Sequence, residues 1–220
     1  MGISCLFIFF PLFVFGAFRD DVVENTKAAV VALYLDENLT VFRASGFFID
    51  SSGTVITAKH AVKNNGRLWA WLYNGKKLEL ILDRFQENND LAIMLPIIPK
   101  NKKMVFSYLK LGNTQNLVIG QPIAVIGNSL GGLWQVLYGN IVNFHIRIPV
   151  EDSDLIFTTI EYNILIQRGF SGSPLIDESG NVLGINIATT KALSNDNASY
   201  AISSTEMKLF IKEFYQKLPK

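Results

Sequence analysis

The chain has 220 residues, enough for one compact domain with a sizeable core or for two small barrels sharing a cleft. Its 20 Lys and Arg nearly cancel 19 Asp and Glu, and no dense basic run occurs, which argues against a nucleic-acid partner. Cys5 is the only cysteine, and His60 and His145 are the only histidines, so no internal disulfide, structural metal site or cofactor is expected.

Residues 3–18 are almost unbroken apolar and end at Arg19, Asp20 and Asp21. A membrane-spanning helix needs roughly 20 such residues, and this run is shorter and contains Pro11. It fits the hydrophobic core of a secretory signal better, although no Lys or Arg precedes it and Phe15 stands where a cleavage site wants a small residue. Residues 1–22 are therefore expected to be a signal peptide. The alternatives are an uncleaved anchor, which would associate the chain with a membrane through residues 3–18, and a buried N-terminal element. The signal and the anchor both direct the body of the protein out of the cytoplasm.

Beyond residue 25 the pattern is short apolar runs separated by turn residues, which reads as mainly β. Strands are expected at residues 28–35, 40–49 and 54–58, with turns at 36–38 and 51–53. Residues 68–73 and 77–82 flank Asn74-Gly75 and read as a hairpin closed by a type I′ turn. Asp90 opens the apolar run 91–98, and the polar stretch 99–103 follows. A boundary near residues 99–115 divides the body into 23–105 and 106–220. Further strands are expected at 121–127, 133–148, 155–161, 174–176, 182–188 and 199–202. Only residues 205–215 read as a helix, with Met207, Phe210, Ile211 and Phe214 on one face and Ser204 as its cap. This spacing predicts an all-β barrel or sandwich with one terminal helix.

Three residues carry candidate chemistry. Ser171 lies between Gly169 and Gly172 at a junction of two strands, where a hydroxyl can serve as a nucleophile if a base takes its proton. The plain alternative is an ordinary Gly/Ser turn, as at Ser179-Gly180. His60 follows a strand, and alone it would read as a core or strand-end histidine. His145 sits in an alternating strand with no such context. Asp90 stands directly before an apolar run, where it can orient an imidazole, and Asp83 is its rival. The order His, Asp, Ser is one of the known orders of a nucleophile–base–orienter triad.

Ordered motifs strengthen that reading. The segment Ala44-Ser45-Gly46-Phe47-Phe48-Ile49-Asp50, continued by Val55-Ile56-Thr57-Ala58-Lys59-His60-Ala61-Val62, resembles the histidine region of trypsin-like serine proteases of the HtrA/Deg kind. Asn89-Asp90-Leu91-Ala92-Ile93 resembles their aspartate motif. Gly169-Phe170-Ser171-Gly172-Ser173-Pro174-Leu175, with Gly180-Asn181-Val182-Leu183-Gly184-Ile185-Asn186, resembles their nucleophile loop and the hairpin after it. The likeness spans residues 28–215 and implies two six-stranded antiparallel β-barrels of the chymotrypsin type with a C-terminal α-helix.

By position, the resemblance implies Ser171 as nucleophile, His60 as base and acid, Asp90 as orienter, and the N–H groups of Gly169 and Ser171 as the oxyanion hole. It implies Leu165 as the floor of the pocket for the residue before the scissile bond. Asn186, Ile187 and Ala188 would form its walls, and substrates would be proteins or peptides. None of these four residues is charged, so small or medium aliphatic side chains are expected there. Phe170 stands where digestive members carry an aspartate that pairs with a new N-terminus, so activation by that ion pair is not expected. The PDZ domain common in that family is not expected after the terminal helix. The rival reading is a catalytically silent module of the same fold, and a weaker one is a membrane-tethered sensor with a latent site.

Overall fold

The computed structural model describes residues 18–86, 89–149, 156–187 and 199–217. The expected signal segment, up to residue 17, and Ala188 lie outside the described residues. Within them the chain forms two closed antiparallel barrels. The first joins β1 (Val30–Tyr34), β2 (Phe42–Phe48), β3 (Val55–Ala58), β4 (Arg67–Leu72), β5 (Lys77–Phe85) and β6 (Leu91–Pro96), in the order β1-β2-β3-β6-β5-β4. The second joins β7 (Pro122–Ser129), β8 (Gly132–Pro149), β9 (Ile156–Tyr162), β10 (Pro174–Ile176), β11 (Val182–Ile187) and β12 (Ser199–Ser203), in the order β10-β11-β12-β9-β8-β7. Helix α1 (Asp20–Ala29) precedes β1, the one-turn α2 (Lys59–Val62) follows β3, and α3 (Ser204–Gln216) follows β12.

Side-chain alternation along each strand fills three apolar cores. Val31 and Leu33 of β1 point into the first barrel, while Val30 joins a core between the barrels. That shared core takes Phe47 and Ile56 from the first barrel and Ile126 and Ile185 from the second. Strands buried on both faces need apolar residues at every position, which is why β1 and β3 are buried throughout. Phe210 and Phe214 of α3 close one end of the shared core. Tyr215 donates its hydroxyl to the carboxylate of Asp50 in the β2–β3 turn, so α3 fastens the two barrels together.

Three local expectations are corrected. Residues 20–29 form a helix that precedes β1, not the start of a strand at residue 28. Its buried side is only Val23, Thr26 and Ala29, too thin an apolar stripe to stand out in sequence, although Asp20 and Asp21 suit the N-terminal end of its dipole and Lys27 the other. At α3 the capping side chain belongs to Ser203, which accepts from the Glu206 N–H at 3.4 Å; Ser204 donates instead to the Gly112 carbonyl at 2.8 Å. The β4–β5 hairpin has a three-residue loop in place of a type I′ turn. Gly75 N–H bonds the Leu72 carbonyl and Leu72 N–H bonds the Lys76 carbonyl, both at 2.9 Å. Gly75 takes φ +77° while Asn74 does not enter the left-handed region, the pattern of a turn followed by a glycine bulge.

Because Phe210 is 1% exposed at the barrel junction, Phe210→Ala should cost about 3–5 kcal/mol of stability. A lowered urea midpoint at unchanged slope would register this loss.

Candidate active site

The pairing of β3 with β6 sets the first half of the site. Ala58, the last residue of β3, faces Leu91, the first of β6. The residues just beyond those ends, on α2 and before β6, are therefore neighbours, and Lys59 N–H bonds the Asp90 carbonyl at 3.1 Å. One carboxylate oxygen of Asp90 accepts the His60 backbone N–H at 2.8 Å. The other lies 2.6 Å from His60 Nδ1. Against a carboxylate, Nδ1 carries the ring proton of a neutral imidazole and Nε2 is the basic nitrogen. The rival Asp83 lies on β5 with its carboxylate 4.0 Å from Arg84 Nε. His145 lies on β8, its ring edge-on to Phe144.

Ser171 follows a tight turn. Phe170 N–H bonds the Gln167 carbonyl at 3.2 Å, and Gly169 at the third position has φ +104°, the signature of a type II turn. A side chain at residue 169 would also meet the Phe42 ring at 2.3 Å. Each neighbouring peptide group is tied down. Gly172 N–H bonds the Asn186 carbonyl at 2.8 Å, and Ser173 N–H bonds the Phe170 carbonyl at 2.9 Å. Ser45 of β2 reaches across from the other barrel: its N–H bonds the Ser171 carbonyl at 3.0 Å, and its hydroxyl bonds the Gly169 carbonyl at 2.9 Å. Among the hydrogen bonds of the described residues, the N–H groups of Gly169 and Ser171 are not used.

The direction of the Ser45 hydroxyl is forced. Asn128 offers it two donors, a backbone N–H at 2.9 Å and an amide N–H at 3.2 Å. A hydroxyl has one proton, so with both N–H groups aimed at its lone pairs that proton goes to Gly169. Asn128 is itself fixed, donating to the Val31 carbonyl and accepting from Trp134 N–H. His60, Gly169 and Ser171 line one cavity of about 450 Å³, together with Phe42, Arg43 and Arg168.

A family model described as a trypsin-like peptidase domain matches residues 44–185. The chain belongs to the trypsin-like peptidase family. Among curated proteins it is 30% identical to human serine protease HTRA3 over 217 residues, covering 91% of this chain and 46% of the relative. It is 32% identical to the serine protease Do-like HtrB of Bacillus subtilis over 169 residues, covering 74% of this chain and 35% of the relative. The chain thus spans less than half the length of these relatives. In fold it is similar to the HtrA-type protease AlgW solved with a tripeptide, at TM-score 0.72 and 23% identity, over 88% of this chain and 62% of that one. It is also similar to the inactive form of the Rv3671c protease, at TM-score 0.71 and 20% identity, over 89% and 93% of the two chains.

Of the residues expected in the pocket of this trypsin-like peptidase domain, Leu165, Asn186 and Ile187 do not line the cavity beside Ser171. Leu165 is 61% exposed, whereas Ile164 and Ile166 on either side are buried. Exposure alternates along residues 163–167, so Ile166 lines the cavity and Leu165 faces solvent. Asn186 is buried and committed to structure. Its amide donates to the Ser173 carbonyl at 3.0 Å and to the Ser173 hydroxyl at 2.8 Å. Tyr162, its hydroxyl held protonated by burial, donates to the Asn186 amide oxygen at 2.5 Å. Ser173 passes its proton to the Phe170 carbonyl at 2.6 Å. Ile187 packs in the core between the barrels, and Ala188 lies outside the described residues.

Sequence reasoning missed Ser45 and Asn128. The sequence shows only a polar residue within each of two largely apolar strands, and their burial appears with the structure. Ser45→Ala would strand the Asn128 N–H and the Gly169 carbonyl in a buried place, and unsatisfied groups of this kind cost about 1–3 kcal/mol. Differential scanning calorimetry should show the fall in Tm.

Proposed function

We propose that the chain is a serine endopeptidase working through an acyl-enzyme. The observation that carries this reading is the 2.6 Å contact of His60 Nδ1 with Asp90, beside a cavity that His60 shares with Ser171. Ser171 Oγ attacks the scissile carbonyl carbon while His60 Nε2 takes its proton. The carbonyl oxygen becomes an oxyanion and accepts the unused N–H groups of Gly169 and Ser171. Collapse breaks the C–N bond, and the imidazolium returns the proton to the leaving amine. Water then repeats both steps on the acyl-enzyme, releasing the acid and restoring Ser171. Asp90 holds the ring tautomer and stabilises the imidazolium throughout. Donors fixed before the charge develops give the largest single contribution in this kind of chemistry.

Phe170 is 1% exposed and packs in the core of the second barrel. With no carboxylate at that position, the turn is held by hydroxyls and amides from Ser45, Ser173 and Asn186, with no new N-terminus required. The apolar residues 3–18 support a site of action outside the cytoplasm.

Ser171→Ala should abolish labelling by a fluorophosphonate and lower turnover about a million-fold with the fold intact. Near-normal hydrolysis by this variant would end the proposal. Asp90→Asn should cost about ten-thousandfold in kcat, whereas Asp83→Asn should leave kcat within about a factor of two of wild type, as for surface changes away from the chemistry. Steady-state assays on a common peptide would separate the two carboxylates.

A further inference from the structure

We infer that the cavity beside Ser171 is a subsite for a carboxylate carried by the part of the substrate that leaves, in the first two positions after the scissile bond. This rests on the endopeptidase reading above. The leaving amine collects its proton from His60, so the departing peptide lies on the imidazole side of the nucleophile. Phe42, Arg43 and Ala61 line the cavity there, with Arg168 and Leu130 also on its wall.

No Asp or Glu lines this cavity, and two arginines do. Arg43 is not a loose surface side chain. Its Nε donates to the Ala61 carbonyl at 2.9 Å, and Nη2 lies 3.5 Å from the His60 carbonyl. The guanidinium is thereby fastened next to α2 with donors left over. Among the described residues neither Arg43 nor Arg168 forms an ion pair. Two arginines without ion-pair partners among the described residues line one concave space, and a guanidinium is complementary to a carboxylate, which it can grip bidentately. Leu130, 85% exposed, and the half-buried Phe42 add apolar surface for the methylenes of the same side chain. A lysine there would meet like charge and gain nothing.

The carboxylate has two sources, an Asp or Glu side chain or the substrate's own C-terminus, and the test distinguishes them. Quenched fluorescent peptides identical before the scissile bond would carry Glu, Ala or Lys in the two following positions with amidated ends. A further Ala peptide would end in a free carboxylate after the second position. Full-length protein should cleave the Glu peptides about fivefold faster in kcat/KM than the Ala peptides, the size expected of partly exposed ion pairs, with Lys slowest. If the chain terminus is the natural source, the free-acid Ala peptide shows the gain instead.

The Glu-to-Ala ratio is read within each variant, so changes in overall rate drop out. It should shrink in Arg43→Gln and in Arg168→Gln, and turn toward Lys when both are Glu. Raising NaCl to about 1 M, where screening acts within roughly 3 Å, should shrink it in the unmodified chain too. Ratios near one for both carboxylate sources, or ratios indifferent to the variants and to salt, overturn the subsite. Fluorophosphonate labelling of Ser171 separates the two levels: a labelled protein without the preference loses only the subsite, and an unlabelled one loses the protease reading with it.

Discussion

One proton holds the turn before Ser171 in shape. The Ser45 hydroxyl receives two N–H groups from Asn128 and has a single direction left for its own hydrogen, the Gly169 carbonyl. That bond joins residues 124 apart in the chain, and it crosses from one barrel to the other. With the Ser171 carbonyl held by Ser45 N–H and the Phe170 carbonyl by Ser173, the peptide groups around Ser171 have fixed orientations. The N–H groups of Gly169 and Ser171 are left over as a consequence. A buried, fully satisfied network of this kind is stiff because any rotation of one member leaves another unpaired in a low-dielectric place.

The close packing of the barrels follows from the same need. Gly172 has φ +85°, and a Cβ there would lie 2.2 Å from the Ser45 carbonyl oxygen and 2.4 Å from the Thr57 hydroxyl. The loop carrying Ser171 and Gly172 touches the backbone of the first barrel with no room for a side chain between them. The apolar core shared by the barrels, closed by α3, holds this contact at constant distance. The site therefore depends on two barrels being one rigid body at the seam, while His60 and Asp90 depend only on β3 pairing with β6 inside the first barrel. The two halves of the constellation have different structural supports.

Electrostatics divides along similar lines. Asp90 sets a carboxylate against the imidazole, while the exposed Arg43 and Arg168 line the cavity that His60 shares. The first arrangement orients the imidazole. On the subsite reading proposed above, the second acts on what enters the cavity, where charge governs choice of partner more than strength of binding.

Much of this was legible in the sequence for physical reasons. Strand positions follow from apolar runs broken by Gly, Asn and Asp, because a barrel strand must bury at least every second side chain. His60, Asp90 and Ser171 stand out since each sits at a strand end beside turn residues, where a polar side chain can reach a cleft. Helix α1 escaped notice because its buried stripe is three residues wide. The hairpin at Asn74-Gly75 was recognised but not its loop, since the choice between two and three residues depends on the register of β4 and β5. What tertiary structure alone decided lies where partners are far apart in the chain. Ser45 and Asn128 are unremarkable polar residues until the barrels meet. The resemblance places Leu165 by its spacing from Ser171 and Asn186 by its strand, but position along the chain does not fix which way a side chain points. The alternation along residues 163–167 turned Leu165 outward, and the closed barrel turned Asn186 inward onto Ser173.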